Sequence, residues 1–518
     1  MIPRREFGKL TAAFSVTCAI GRFGRAASGN YPFTLGVASG QPMPDGFVIW
    51  TRLAVNPLAV DGLGGMSEPV LVMWEVASDE RMRNVIRRGT AEAQEDSAHS
   101  VHVEIGGLEP GRPYWYRFSA LGEQSPTGVA RTAPTSDAKL MSMRFVFASC
   151  ANWQHGYYSA YRHMAAENPD LIIFLGDYIY ESTVAGPNAD RVLRKHDGPT
   201  AVDLTGYRNR YALYRTDPDL QALHAAAPCL MTWSDHEVEN DYANQWSQRV
   251  VTLPEQFLRR RAAAYQAYYE HMPLRAASMP QGSALRLYGH FRFGDLAGFS
   301  VLDGRQYRSK QPCELPNYRG GHVVTDECTD RVDPARTYLG IEQEQWLFEG
   351  FKRSNVTWTF IAQEQLVAPL RQNDRAGRWG YWTDGWDGHP AARQRMLDVI
   401  ATTRVSNPVF IGGDVHSYWV TDLKAEFANP SSATVATEFV GTSITSDPPP
   451  QELISLLPEN PHIRYFESRY RGYVAVDLTR DRMEALFRII SDRRDPHATV
   501  STLKRFVVES GKPGAVPD

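Results

Sequence analysis

Two short apolar runs, one helix-length apart, constrain this chain more than any other feature. Residues 144–149 (RFVFAS) are β-branched and aromatic and read as a buried strand that ends on Cys150. Residues 171–175 (LIIFL) form a second such run and end on Gly176-Asp177. Between them YSAYRHMAAE has helical spacing, and Asn168-Pro169 stops it. A strand–helix–strand unit predicts two parallel neighbours in one sheet. In such sheets chemistry collects just past the carboxyl ends of the strands. Cys150, Asp177 and, three residues on, Tyr180 fall there. A thiolate, a carboxylate and a phenolate at one point are donors for a hard trivalent cation.

The pattern recurs. CLMTW (229–233) runs into Ser234-Asp235-His236-Glu237-Val238-Glu239-Asn240-Asp241, and FSVLD (299–303) into Gly304-Arg305. VTWTFIA (356–362) precedes Gln363-Glu364-Gln365, PVFIGG (408–413) precedes Asp414-Val415-His416, and TEFVGTSITS (437–446) closes the series. Helices are expected over 255–272 and 341–354, an aromatic, Gly-rich loop over 377–389, and a late hairpin from 473–478 and 483–490 that completes the sheet. The C-terminal tail carries no chemical signal.

Each polar cluster has a structural reading of its own. Asp177 with Tyr180 is equally a helix-capping Asp with a packing Tyr. The turn after Trp233 is equally a solvated acidic turn, Asp414-Val415-His416 a cap and a structural His, and Arg305 a surface ion pair. Occurring together at five strand ends, they point instead to one site. Alternation turns Asp414 and His416 to the same side of an extended backbone. His236 beside a ligating Asp235 can protonate a leaving group, and the planar fork of Arg305 suits a phosphate. A two-cation site of this kind clamps the oxygens of an in-line phosphoryl displacement and lowers the pKa of a bound water.

Residues ~30–135 read differently. Apolar stretches broken by Gly, Pro and Asp turns predict an all-β domain, with LEPGRPYWYRF resembling a fibronectin-III-like sandwich corner. Tyr114 and Tyr116 fall on one face of it, Trp115 on the other. A polar hinge at 133–137 then precedes the second domain. The expected organisation is an export signal over 1–28, a β-sandwich domain over 29–135 and a catalytic domain over 136–518. Within the first segment Arg4-Arg5-Glu6-Phe7-Gly8-Lys9 is a twin-arginine pattern, followed by an apolar run too short to span a bilayer and by Ala26-Ala27. This predicts periplasmic or extracellular delivery by the twin-arginine machinery, hence a periplasmic or secreted protein without a stable membrane anchor. A net charge of −4 without blocks of like charge argues against a dedicated nucleic-acid binder. Cysteine usage agrees with export. Cys313 and Cys328 flank a Gly-, Asn- and Pro-rich loop and are expected to pair, Cys229 reads as a buried thiol, and Cys18 leaves with the signal.

The motifs FASCANWQHGYYSAY, DLIIFLGDYIYE, WSDHEVENDY, DGRQYR, WDGHP, GGDVHSYW and EFVGTSITS, in that order, resemble the PhoD-type alkaline phosphatases of the calcineurin-like metallophosphatase superfamily. The resemblance spans roughly residues 30–500. It implies a four-layer α/β/β/α sandwich and hydrolysis of phosphate mono- and diesters at an Fe³⁺/Ca²⁺ centre by metal-activated hydroxide. Carried over, Cys150, Asp177, Tyr180 and His416 are the iron set. Asp177 also reaches calcium, Asp235 and Asp414 ligate calcium, and Asn240, His236 and Arg305 face the phosphate. Ser234 departs from the family's more usual second Asp, and Gln363-Glu364-Gln365 fits its amide-bearing strand end loosely. The rival readings are a phospholipase-D-like diesterase on the same scaffold, suggested by the aromatic loop at 377–389, and a non-enzymatic surface-binding protein.

Overall fold

The structure, a computed structural model, describes residues 31–184, 192–374, 376–429, 431–449 and 451–518. The expected signal over 1–28, with Cys18, lies outside them. The strand–helix–strand unit forms as its sequence predicts. Strands Ser142–Ala148 and Leu171–Leu175 pair in parallel, with Phe145 opposite Leu171 and Phe147 opposite Ile173, and helix Ser159–Ala166 connects them. The helix stops where Asn168 turns left-handed (φ 52°) ahead of Pro169.

These strands sit in the middle of a ten-stranded mixed sheet. On one side Gly472–Thr479, Arg482–Ile490, Val500–Glu509 and Val516–Pro517 follow in antiparallel order. On the other lies Cys229–Thr232, parallel to Leu171–Leu175. The late hairpin therefore does not complete the sheet, since the tail adds two further strands. A seven-stranded sheet is built around the parallel strands Ala297–Val301, Trp358–Ala362, Pro408–Gly412 and Thr434–Val440.

Strand alternation assigns the cores. Phe145, Phe147, Leu171, Ile173 and Leu230 point into a core shared with Phe299, Val301, Phe360, Val409 and Ile411 of the second sheet. The intervening Val146, Ile172, Phe174 and Met231 pack against Tyr161, Tyr211 and Tyr265 from helices Ser159–Ala166, Leu204–Arg215 and Pro254–His271. On the far face of the second sheet Ile361 and Phe410 meet Leu347 and Phe351 of helix Ile341–Arg353 and Met396 and Leu397 of helix Pro390–Thr403. Both sheets thus direct the carboxyl ends of their parallel strands toward the loops described below.

The N-terminal β region is not closed on itself. A five-stranded sheet (Val70–Ala77, Val85–Ala93, Pro113–Ala120, Glu123–Gln124 and Gly128–Arg131) packs through Val72, Val76, Tyr116 and Phe118 onto Val37, Phe47, Ile49 and Val101. Tyr114 and Tyr116 point into this core while Trp115 does not, as the alternation predicts. Val37, Phe47, Ile49 and Val101, however, belong to strands Val37–Met43, Gly46–Arg52 and Ser100–Ile105, which extend the ten-stranded sheet. Gly40 pairs with Cys229 across the junction. The loop expected over 377–389 contains strand Trp379–Trp382, paired with Val323–Val324 and Arg371–Asn373. Cys313 and Cys328 form the expected disulfide, and the buried Cys229 thiol donates to the Ser39 carbonyl at 3.3 Å.

Candidate metal centre

The site is assembled from sharp turns immediately past strand ends. Cys150, Asp177, Asp414 and His416 all have left-handed backbones, at φ 61°, 53°, 62° and 50°. Such a backbone is unfavourable for residues with a Cβ and accumulates at functional sites. Asp414 and His416 therefore do not share the extended backbone that alternation assumed. Glycine makes two of the turns possible. A Cβ on Gly176 (φ 95°) would lie 2.5 Å from the Ser234 nitrogen, and one on Gly413 would lie 2.2 Å from Ser149 Oγ.

The structure brings Cys150, Asp177, Tyr180 and His416 together. Cys150, Asp177 and His416 each offer a ligand atom within 4.8 Å of the others'. The Tyr180 hydroxyl donates to Asp177 Oδ2 at 2.8 Å, lies 3.1 Å from His416 Nε2 and accepts from Ser446 Oγ at 2.7 Å. His416 Nδ1 lies 2.7 Å from the Asp447 carbonyl, which fixes the proton on Nδ1 and turns the Nε2 lone pair toward the cluster. Burial holds His416 down at about 3, so the ring is neutral. Asp177 is buried, and its Oδ1 has no hydrogen-bond partner.

A second group shares Asp177. Asp177, Asp235 and His236 come within the same reach of one another, and Asp235 does so again with Asp241 and Asp384. Asp414 is tied to this side through Ser234, whose Oγ donates to Asp414 Oδ1 at 3.2 Å. Burial, reinforced by the charges of Asp235 and Glu237 and opposed by His236, pushes the Asp177 carboxyl well above the usual range. Burial and then Asp235 do the same to Asp414, against Arg305. Burial, Asp384 and Asp235 raise Asp241 to about 7. Burial and the charges of Asp177 and Asp414 likewise raise the Cys150 thiol, and burial with Asp177 and Cys150 raises Tyr180. A crowd of buried acids with one orphaned oxygen is the electrostatic complement of bound cations. Thiol, phenol, imidazole and carboxylate on one side, with a group made mostly of carboxylates on the other, are donors that can hold metal ions.

The remaining predicted residues divide. The His236 ring lies over Tyr180, centroids 4.1 Å apart, and its Nδ1 is 2.7 Å from Glu181 Oε2. Burial opposes its protonation, but Glu181, Asp177 and Asp235 outweigh burial and hold the imidazolium well above the usual range. Asn240 stands at the edge of the group, its amide donating to Gln248 Oε1 at 3.2 Å. Arg305, expected as a phosphate-facing fork, is held by carboxylates through two of its three nitrogens. It is fully buried, with Nε on Glu364 at 2.8 Å and Nη1 on Asp384 at 2.9 Å, and Nη2 lies 3.7 Å from both Asp235 and Asp414. Nε and Nη1 are occupied by carboxylates while Nη2 donates to Ser234 Oγ at 3.4 Å, so the guanidinium is a counter-charge among these acids. The loose fit of 363–365 is explained by the same network, since Gln365 Nε2 donates to Asp384 Oδ2 at 3.0 Å.

Sequence reasoning missed Asp241, Asp384 and Glu181. Asp241 was within reach, as it closes the same acidic turn as Asp235 and donates its backbone N–H to Asp235 Oδ2 at 2.7 Å. Asp384 sits in the aromatic loop, where no strand end flagged it.

Comparison with known proteins gives the family. The chain belongs to the PhoD-like phosphatase family, whose model matches residues 145–487, with the model of its N-terminal domain matching residues 17–134. It is 44% identical over 516 residues to alkaline phosphatase D of Bacillus subtilis (strain 168), an alignment covering 98% of this chain and 86% of that protein. A solved structure of PhoD superposes with a TM-score of 0.87 at 44% identity, covering 95% of this chain and 93% of that one.

Proposed function

We propose that the protein is an exported phosphoric ester hydrolase, an alkaline phosphatase with phosphodiesterase activity, that works with Fe³⁺ and Ca²⁺. The observation that carries this reading is the meeting of Cys150, Asp177, Tyr180 and His416 around an unpartnered, buried Asp177 oxygen. Cys150, Asp177, Tyr180 and His416 would hold the iron, with Asp177, Asp235 and Asp414 toward calcium and Asp241 and Asp384 beside them. When bound, the two cations supply an activated water and a positive clamp on the phosphate.

The chain's own residues do the rest. Glu181 holds His236 through Nδ1 and keeps the ring protonated, so Nε2 is the atom that hands a proton to the departing alkoxide. Asn240 lies at the edge of the site, where a phosphate oxygen can meet its amide. Arg305 keeps Asp235 ionised: burial raises that carboxyl, but Arg305 and His236 bring it below its usual range. We further propose the four-layer α/β/β/α arrangement for the catalytic part (136–518), a fibronectin-III-like sandwich for 29–135, and a twin-arginine signal over 1–28 that delivers the folded, metal-loaded chain to the periplasm or beyond.

The test is elemental analysis of protein purified without added metal, together with Asp177→Asn. We expect iron and calcium in the wild type, and in the variant a loss of 4-nitrophenyl phosphate turnover of about a hundredfold or more. Near wild-type turnover in the variant would defeat the assignment.

A further inference from the structure

Beside the centre the molecule opens a cleft of about 330 Å³ for which the proposed chemistry has no use as described. Asp414 and His416 line it where it meets the centre. From there outward its wall is apolar, made by Leu366, Leu370, Trp382, Trp386, Trp419 and Leu453. Leu366, Leu370, Trp386 and Trp419 are anchored in the core of the second sheet, and Leu453 packs at its margin. Trp382, 42% exposed, stands at the mouth.

Three of the polar side chains around this wall are already engaged. Asp387 pairs with Arg393 at 2.6 Å and accepts from the Leu370 N–H at 2.8 Å. Asp447 pairs with Arg493, and Gln365 donates to Asp384. Among the described residues lining the cleft there is neither a lysine nor an arginine. A second anionic group would therefore meet carboxylates and no cation, and a polyhydroxylated alcohol would lose its water shell for few new hydrogen bonds. A neutral apolar group would gain by leaving water.

We propose that this cleft is the subsite for the neutral alkyl or aryl part of the ester's alcohol, so that the enzyme selects esters of apolar alcohols over those of sugars or of alcohols bearing a second anion. The assignment rests on the phosphoester reading above, because it takes the phosphorus to lie at the metal centre. It makes Trp382 and Leu453 specificity residues at the open end, remote from the reacting atoms.

Two series measured on the metal-loaded enzyme test it. The first is kcat/KM for n-alkyl phosphates from ethyl to hexyl, whose alcohols are of nearly equal acidity. The second is calorimetric affinity for the matching n-alkylphosphonates, whose P–C bond is not hydrolysed. Burying a methylene is worth up to about fourfold in affinity. Both kcat/KM and affinity should therefore rise about tenfold or more from ethyl to hexyl, while glycerol phosphate stays at or below the ethyl level. In Trp382→Ala and Leu453→Gln the gradient should fall below about threefold, in kcat/KM and in phosphonate affinity alike, with an unchanged melting temperature. A flat wild-type series, or a gradient untouched in both variants, overturns the subsite. Absence of turnover for every ester, with the phosphonate gradient intact, overturns the phosphoester reading and leaves the apolar subsite standing.

Discussion

At the scale of single residues the site is a balance of charge in which Arg305 is a fully buried cation within reach of Asp235, Asp384, Asp414 and Glu364, with Arg308 sharing Asp384. Burial would depress its ionisation, but those carboxylates outweigh burial and hold the guanidinium charged. Removing one partner of such a network leaves the other charges buried and unpaired, which costs far more than the net worth of the pair. Arg305→Met should therefore destabilise the protein by about 3–5 kcal/mol in urea unfolding. If Arg305 is a counter-charge and not a phosphate ligand, KM for 4-nitrophenyl phosphate in the folded variant stays within about threefold. A tenfold rise in KM without loss of stability would return it to the substrate. Tyr180 makes a separate prediction. A phenolate on ferric iron absorbs visible light, so the wild type should be coloured. Tyr180→Phe, which keeps the ring beneath His236, should lose that band while retaining its fold by circular dichroism. A colourless wild type that contains iron would remove Tyr180 from the ligand set.

At the scale of elements, what could be read from the sequence follows the range of the signal. LIIFL announces a buried strand because all five residues are apolar, and Asp177 follows because parallel strands expose their carboxyl ends. The burial of Arg305 could not be read in the same way, since its carboxylate partners come from four separate turns. Strand Val500–Glu509 escaped because only Phe506, Val507 and Val508 of its ten residues are buried, too few to set a period. The pairing of Gly40 with Cys229 is a backbone match, to which side-chain alternation is blind. That junction carries a pH dependence. His102, on strand Ser100–Ile105, stacks on Tyr269 with centroids 4.5 Å apart, and its Nε2 lies 2.9 Å from the carbonyls of Tyr269 and Met272. Burial lowers its pKa to about 4 from 6.5. Between those values the unfolded chain binds the proton and the folded chain does not, so stability rises with pH across the window. The contribution is whole above pH about 6.5 and is lost as pH falls toward 4. Urea unfolding of the wild type should lose roughly 1–2 kcal/mol more than His102→Gln between pH 7 and pH 5. Equal losses would place the acid sensitivity elsewhere.

At the scale of the whole molecule, the two segments that match separate family models share one sheet. Besides the pairing of Gly40 with Cys229, the contact is deep. Trp50, fully buried, donates its indole N–H to the Glu270 carbonyl at 3.0 Å, and the Arg215 guanidinium lies 4.1 Å over its ring. Arg52, also fully buried, reaches His271 Nε2 at 2.6 Å, and Arg275 closes the edge on Glu104 at 2.8 Å. Residues of both segments complete each other's cores here, with Ala212 of helix Leu204–Arg215 packed among Leu35, Ala38 and Trp50. Deleting residues 31–135 would uncover the edge of strand Cys229–Thr232 together with the groups that Trp50 and Arg52 now satisfy. An unpaired strand edge beside exposed apolar surface is a template for aggregation. The truncated chain should therefore be insoluble or lack a cooperative transition, and the intact chain should unfold in a single calorimetric transition whose van't Hoff and calorimetric enthalpies agree. Two resolved transitions, or a soluble truncated chain with full phosphatase turnover, would show that the shared sheet is a contact between independent domains and that the β-rich segment contributes nothing to holding the metal centre's strands in register.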